Sequence, residues 1–300
     1  MNIELPCILG RYQLVERLGW GGSCEVFRAV YRGDSGFQKD VAIKVLLPSH
    51  RGNPELERQF VREARLGAKL EHQNLVGVED FGVDRGIRYL RMELVEGYEL
   101  RELMEHSSPD AAVGLFICAQ ITLGLRYLHA QSHDGKEIGL VHRDVSPSNV
   151  LISPFGEVKL ADFGILKATR RRHLTRAGVR KGTISYMSPE QARGEQIDPR
   201  SDQFPVGVLL CVLATGEHPL EAEDRIETLE RIRTADVTHL DKLPPDLRGV
   251  AERCLSEAPE DRYPDMTALY RDIEKLRRSR APAGPLSLPP VLSASDVSVD

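Results

Sequence analysis

The chain has 300 residues, 41% hydrophobic and 28% charged, with a formal net charge of −5. That is material for one large or two small domains with a real core, and the mild acidity gives no general reason to expect nucleic-acid or membrane binding. No apolar run approaches the roughly 20 residues of a spanning helix, no signal-peptide pattern opens the chain, and five scattered cysteines without a CxxC pair read as thiols in a reducing compartment, so a soluble cytoplasmic protein is expected.

Between residues 11 and 95 strand patterns dominate, interrupted by one helix. YQLVERLG and EVFRAVYR flank a glycine-rich turn, and the β-branched run DVAIKVLL follows the hairpin loop GDSGFQK. Pro54 to Leu70 has helical spacing, with Leu56, Phe60, Ala64, Gly67 and Ala68 on one stripe. IRYLRMELV is a further strand. From about Glu99 the pattern turns helical. Asp110 to Gln131 puts Leu115, Ile121, Leu125 and Leu128 on an inward side. Ser201 to Thr215 is apolar nearly all round, as in a helix buried in a lobe core, and its first turn tolerates Pro205. Asp265 to Arg278 carries Met266, Leu269, Ile273 and Leu276 at helical spacing, and the Pro/Ser-rich segment beyond Arg280 reads as a flexible tail. The expected architecture is a small β-rich lobe joined to a larger α-rich one.

Four stretches carry chemistry. In LGWGGSCEVFRA, Gly19, Gly21 and Gly22 lie between two strands, where glycine lets backbone amides approach an anion closely. Lys44 ends VAIK inside an apolar strand, and Glu63 lies on the apolar stripe of the first helix. Two opposite charges on inward faces are best explained by each other, because a buried charge is costly unless paired. VHRDVSPSNVLI places Asp144 five residues before Asn149, and VKLADFGILK presents Asp162 after a short strand; the amide and the carboxylate are hard oxygen ligands of the kind Mg²⁺ prefers.

Taken together, the glycine loop, VAIK, HRD with an Asn five residues on, and DFG resemble the eukaryotic-like (Hanks-type) protein kinases, the bacterial Ser/Thr members in particular, from about Arg11 to Leu276. The resemblance implies an α+β bilobal kinase fold: a small β-rich N-lobe with one regulatory helix (about 11–94), a larger α-helical C-lobe (about 95–278), and a tail at 279–300. It implies ATP and Mg²⁺ as cofactors. Gly19, Gly21 and Gly22 would cover the phosphates, Leu18 would be among the nucleotide-binding residues, Val26 and Ala42 would pack near the adenine, and Met92 would guard the back of the pocket, with Glu93 to Val95 as hinge. Lys44, held by Glu63, would bind the α/β-phosphates; Asp144 would act as catalytic base beside Arg143; Asn149 and Asp162 would hold the metal. It also implies that Glu190 pairs with Arg262 and that Asp202 braces the catalytic loop. The Gly182–Thr183 step follows the Ser/Thr pattern, and Tyr186 is expected to pack. Protein Ser/Thr hydroxyls are then the expected substrates, and a homodimer would allow autophosphorylation in trans.

Two departures matter. The third glycine of the phosphate loop is Cys24, either a harmless small residue or a reactive thiol over the nucleotide. Ser146 stands where Ser/Thr kinases usually carry a lysine two residues after the catalytic aspartate, which removes a preorganised cation. The alternative reading is a nucleotide-binding pseudokinase acting as a scaffold. In the loop after DFG, Arg170, Arg171, Arg172, His173, Arg176, Arg180 and Lys181 surround Thr175 and Thr169, the candidate phosphosites, and a phosphothreonine there could pair with Arg143.

Overall fold

Alternation along the N-terminal strands sorts their side chains onto two faces. The computed structural model, which describes residues 3–280 apart from 22, 107–109, 134–135, 138 and 163–183, shows what covers each face. Strands β1 (Cys7–Leu9), β2 (Tyr12–Trp20), β3 (Cys24–Arg32), β4 (Gln38–Leu46), β5 (Val78–Asp84) and β6 (Ile87–Met92) form one antiparallel sheet in the order β1-β2-β3-β4-β6-β5. On β4 the period of two sends Val41, Ile43 and Val45 to one face, where Tyr12, Leu14, Phe27, Ala29 and Tyr89 complete a core. On the opposite face Leu46 packs with Cys24 and Leu90 against Phe60 and Ala64 of helix α1 (Pro54–Gly67).

Helix α1 starts where its chemistry says it should. Pro54 occupies the first turn, and the Asn53 side chain accepts hydrogen bonds from the amides of Glu55 (3.0 Å) and Leu56 (3.3 Å). Phe60, Glu63, Ala64 and Gly67 are buried. Ala68, expected on that stripe, is exposed instead, because it is the residue that caps the helix.

The C-lobe holds α2 (Leu100–His106), α3 (Ala111–His129), α4 (Pro189–Arg193), α5 (Gln203–Thr215), α6 (Arg225–Arg233), α7 (Pro245–Cys254) and α8 (Met266–Arg280). A small sheet joins β7 (Tyr98–Glu99), β10 (Val150–Ile152) and β11 (Val158–Leu160), and a hairpin of β8 (Ser132–His133) and β9 (Lys136–Glu137) fills the long connection before HRD. The predicted Ser201–Thr215 helix divides: a 3-10 turn over Pro199–Asp202 precedes α5, which is buried from Gln203 to Leu213. Helix α3 spans nineteen residues and is long and apolar enough to cross a membrane by length and composition alone. That corrects the sequence expectation that no run comes close. More than half of it is buried, and it packs on α5 and α8 in the lobe core.

The lobes are fastened by the segment between α1 and β5. Leu160 N–H donates to Asn74 O (2.9 Å) and Val76 N–H to Leu160 O (3.0 Å), while the buried Asn74 amide donates to Val158 O and Gln120 Oε1, both at 2.9 Å. The chain crosses again at Gly97. A Cβ there would lie 2.1 Å from the carbonyl oxygen of Ile152, so the crossing strand and β10 can run this close only with glycine.

Candidate active site

Lys44 is the centre of the cleft. Its Nζ lies 2.8 Å from Glu63 Oε1 on α1 and 2.7 Å from Asp162 Oδ1 after β11, so one buried ammonium joins three elements from both lobes. Burial opposes the charge on Lys44, but Asp162 and Glu63 outweigh it and hold its pKa well above the usual lysine value. The expected Lys44–Glu63 pair is present; the contact with Asp162 was not anticipated.

Below it lies the loop from His142 to Asn149. Asn149 Nδ2 donates to Asp144 O (2.7 Å) and Asn149 N–H to Ser146 O (2.9 Å), closing the loop, while Ala161 N–H donates to Asn149 O (2.8 Å) and so sets Asp162 beside Asn149. With its Nδ2 committed, Asn149 has its amide oxygen as a cation ligand, and with Asp162 it offers the donor set suited to Mg²⁺. The residues present therefore fit a metal–nucleotide complex.

The loop is held in a strained shape from beneath. Arg143 (φ 69°) and Asp162 (φ 57°) have left-handed backbones, which non-glycine residues keep only where neighbours enforce them. The buried carboxylate of Asp202 accepts the amides of His142 (2.7 Å) and Arg143 (2.9 Å) and the Nε2–H of His129 (2.8 Å), and Gln191 Nε2 donates to Arg143 O at 3.1 Å. Burial alone would raise the Asp202 pKa, but His129 and the loop amides hold it below the usual carboxylate value. The brace from Asp202 follows the sequence expectation; His129 and Gln191 were missed. Gln191 had a signal, since Ser188 and Gln191 have capping-box spacing and form that box at the start of α4.

The upper wall is built from β2 to β6. Register pairs Val26 with Lys44 and Ala42 with Met92, which puts these side chains on the α1 face of the sheet. A Cβ at Gly19 would meet nothing within 4 Å and one at Gly21 only Cys24 O at 3.9 Å, with no left-handed φ at either. Local packing does not demand glycine there; the room lies along a turn fixed by Gly21 N–H donating to Cys24 O at 2.8 Å. Leu18 is exposed beside this turn. Glu93 directs its carboxylate away to Lys159 (2.9 Å) and Gly77 N, so its contribution to the hinge with Val95 is backbone. Cys24 is buried with Leu46 and Phe60, not a thiol open over the cleft. Ser146 is buried too, and its Oγ has no hydrogen-bond partner among the described residues. Gly22, Thr169 and Thr175 lie outside the described residues.

Across the lobe, Arg262 meets Glu190 through two bonds of 2.8 and 2.9 Å, as the sequence led us to expect. Tyr186 is buried and packs edge-on to His218 at 5.1 Å.

Comparison with known proteins agrees with this geometry. The model of the protein kinase domain matches residues 12–272. The chain is 37% identical over 276 residues to the tyrosine-protein kinase MasK of Myxococcus xanthus, covering 88% of this chain and 43% of MasK. It is 35% identical over 283 residues to the serine/threonine-protein kinase PknL of Mycobacterium tuberculosis, covering 93% of this chain and 69% of PknL. This chain thus spans less than half of one curated relative and about two thirds of another. Among solved structures, the M. tuberculosis PknI kinase domain matches with a TM-score of 0.69 at 26% identity, covering 93% of this chain and all of that one. On these grounds the chain belongs to the protein kinase family, among its Hanks-type bacterial members.

Proposed function

We propose that this chain transfers the γ-phosphate of ATP to Ser or Thr hydroxyls of proteins, its own activation segment included. The observation that carries the reading is Lys44 bridging Glu63 and Asp162 directly above the Asp144–Asn149 loop. In this reading Gly19, Gly21 and Gly22 cover the phosphates, Leu18 is among the nucleotide-binding residues, Val26, Ala42, Met92 and the backbone of Glu93 to Val95 frame the base, and Lys44 holds the α/β-phosphates. Asp144 takes the proton of the attacking hydroxyl, with Arg143 fixing the loop beside it. Asn149 and Asp162 would hold Mg²⁺, whose charge would neutralise the transferring phosphoryl group. Catalysis is then positioning and electrostatics on a loop already braced by Asp202. We assign the catalytic unit to residues 11–278, and free thiols at all five cysteines fit a reducing, cytoplasmic setting.

Ser/Thr specificity draws support from PknL and from Thr183 after Gly182; MasK, named for tyrosine, is the counterweight. A second reading, a nucleotide-binding pseudokinase, is favoured by one observation, the uncharged and buried Ser146. Incubation with ATP·Mg²⁺ and mass-spectrometric mapping, with Asp144→Asn as control, tests both. Phosphate on Thr175 or Thr169 that the control lacks is the expected result. Phosphotyrosine alone would overturn the specificity. Nucleotide binding without transfer, reversed by Ser146→Lys, would locate the loss of chemistry at that residue.

A further inference from the structure

The outer face of α1 carries a feature that phosphotransfer does not use. Arg58, Arg62 and Arg65 are exposed and recur at intervals of four and three residues, so their guanidiniums stand on one strip of the helix. With Glu57, Val61 and Arg88 of β6 they line an open groove of about 560 Å³. Arg88 is paired with Glu57 at 2.7 Å; no salt bridge among the described residues reaches the other three arginines. Like charges one turn apart weaken a helix, and of the three only Arg65, in the last turn, has a compensating interaction with the helix C-terminus. It is also a local concentration of positive charge on a chain whose net charge is −5.

We propose that this groove docks a phosphorylated segment of a partner protein. Guanidinium presents paired N–H donors that match a phosphate, and a dianionic phosphate gains more from such a fork than a carboxylate does. The strip is one helix wide and bordered by Val61, which suits a peptide laid along α1; a nucleic acid would call for a longer basic surface. The choice of a phosphorylated occupant rests on the kinase reading, which supplies such segments, but binding itself does not require catalysis. Glu63 lies on the buried face of the same helix, next in sequence to Arg62, so a docked segment bears on the element that holds Lys44.

The test is fluorescence anisotropy of a labelled peptide carrying two phosphothreonines one helical turn apart and otherwise neutral. It is titrated with the whole chain bearing Asp144→Asn, so that no phosphate is transferred. Binding about tenfold or more tighter than to the unphosphorylated peptide is expected, weakening with salt and falling by about tenfold in Arg62→Glu. Autophosphorylation of Arg62→Glu with Asp144 intact is expected to be unchanged, which also shows that this variant folds. Equal binding of the two peptides, or phosphopeptide binding indifferent to Arg58→Glu, Arg62→Glu and Arg65→Glu, overturns the proposal. So does tighter arginine-dependent binding to phosphatidylserine vesicles than to the phosphopeptide, which would assign the strip to a lipid surface. Peptide binding by a chain whose wild type transfers no phosphate would leave this site standing and sink the kinase reading alone.

Discussion

Lys44 shows how much depends on one side chain. Replacing it by Met removes the cation between Glu63 and Asp162 and leaves the Glu63 carboxyl in a site where burial already pushes its pKa up and only Lys44 pulls it down. Phosphotransfer should fall by about 100-fold or more. An acid whose folded pKa is raised contributes stability at low pH that is lost as pH rises through that value. The stability that Lys44→Met loses relative to wild type, read from urea midpoints, should therefore be smaller at pH 5.5 than at pH 8; a loss independent of pH would mean that Glu63 finds another partner. His218 predicts the opposite slope for the wild type. Its Nδ1 accepts the amides of Leu220 (3.1 Å) and Glu221 (3.0 Å), which requires the neutral ring, and burial lowers its pKa to about 4. A histidine depressed from 6.5 binds protons more readily when unfolded, so stability should drop by up to about 3 kcal/mol between pH 6.5 and pH 4. His218→Asn, which can still accept an amide, should flatten that limb of the urea-midpoint curve.

Among the elements, the join of α4, α5 and α8 is the most exacting. Arg262, just before α8, is fully buried and uses every N–H it has: Nε donates to Ser256 O, and the two terminal nitrogens donate to Glu190, Arg200 O and Glu257 O. A lysine has neither the fork nor the number of donors in that plane. Arg262→Lys should cost about 3–5 kcal/mol, read as a fall in the urea midpoint with an unchanged slope. Glu190→Gln with Arg262→Met should cost less than Arg262→Lys alone if the penalty is the stranded carboxylate. Such joins explain what could be read beforehand. Lys44 and Glu63 were legible because each breaks an apolar pattern, α3 and α8 because their apolar spacing repeats over many residues, and α5 because it is apolar nearly all round. The short helices α4, α6 and α7 were not anticipated, since each is five to ten residues long and is held by tertiary contacts more than by its own pattern. Asn74 and His129 gave no local sign at all: each matters through a partner far along the chain, Val158 and Asp202 respectively.

For the molecule as a whole, the point at which the chain enters the C-lobe is set by contact between backbones. With Ala at position 97, the added Cβ would sit on Ile152 O, and β7 would have to move away from β10. The Asp144–Asn149 loop, which runs directly into β10, should move with it and lose its register with Lys44. Gly97→Ala should fold, yet lose about 100-fold in kcat/KM for ATP, because a displacement of about 1 Å between reacting groups is enough for that. Retained kcat/KM would show that the crossing can absorb a side chain.

Helix α3 also has a history as the chain is made. It is complete by His129, but its partner α5 begins at Gln203 and its partner α8 only at Met266. During synthesis, at about 5–20 residues per second, there is an interval of several seconds or more in which the most membrane-like segment of the described chain exists without the surfaces that hide it. The core around α3 therefore cannot close until α8 has been made. A chaperone acting on this protein should find α3 first, and a chain truncated before α8 should aggregate.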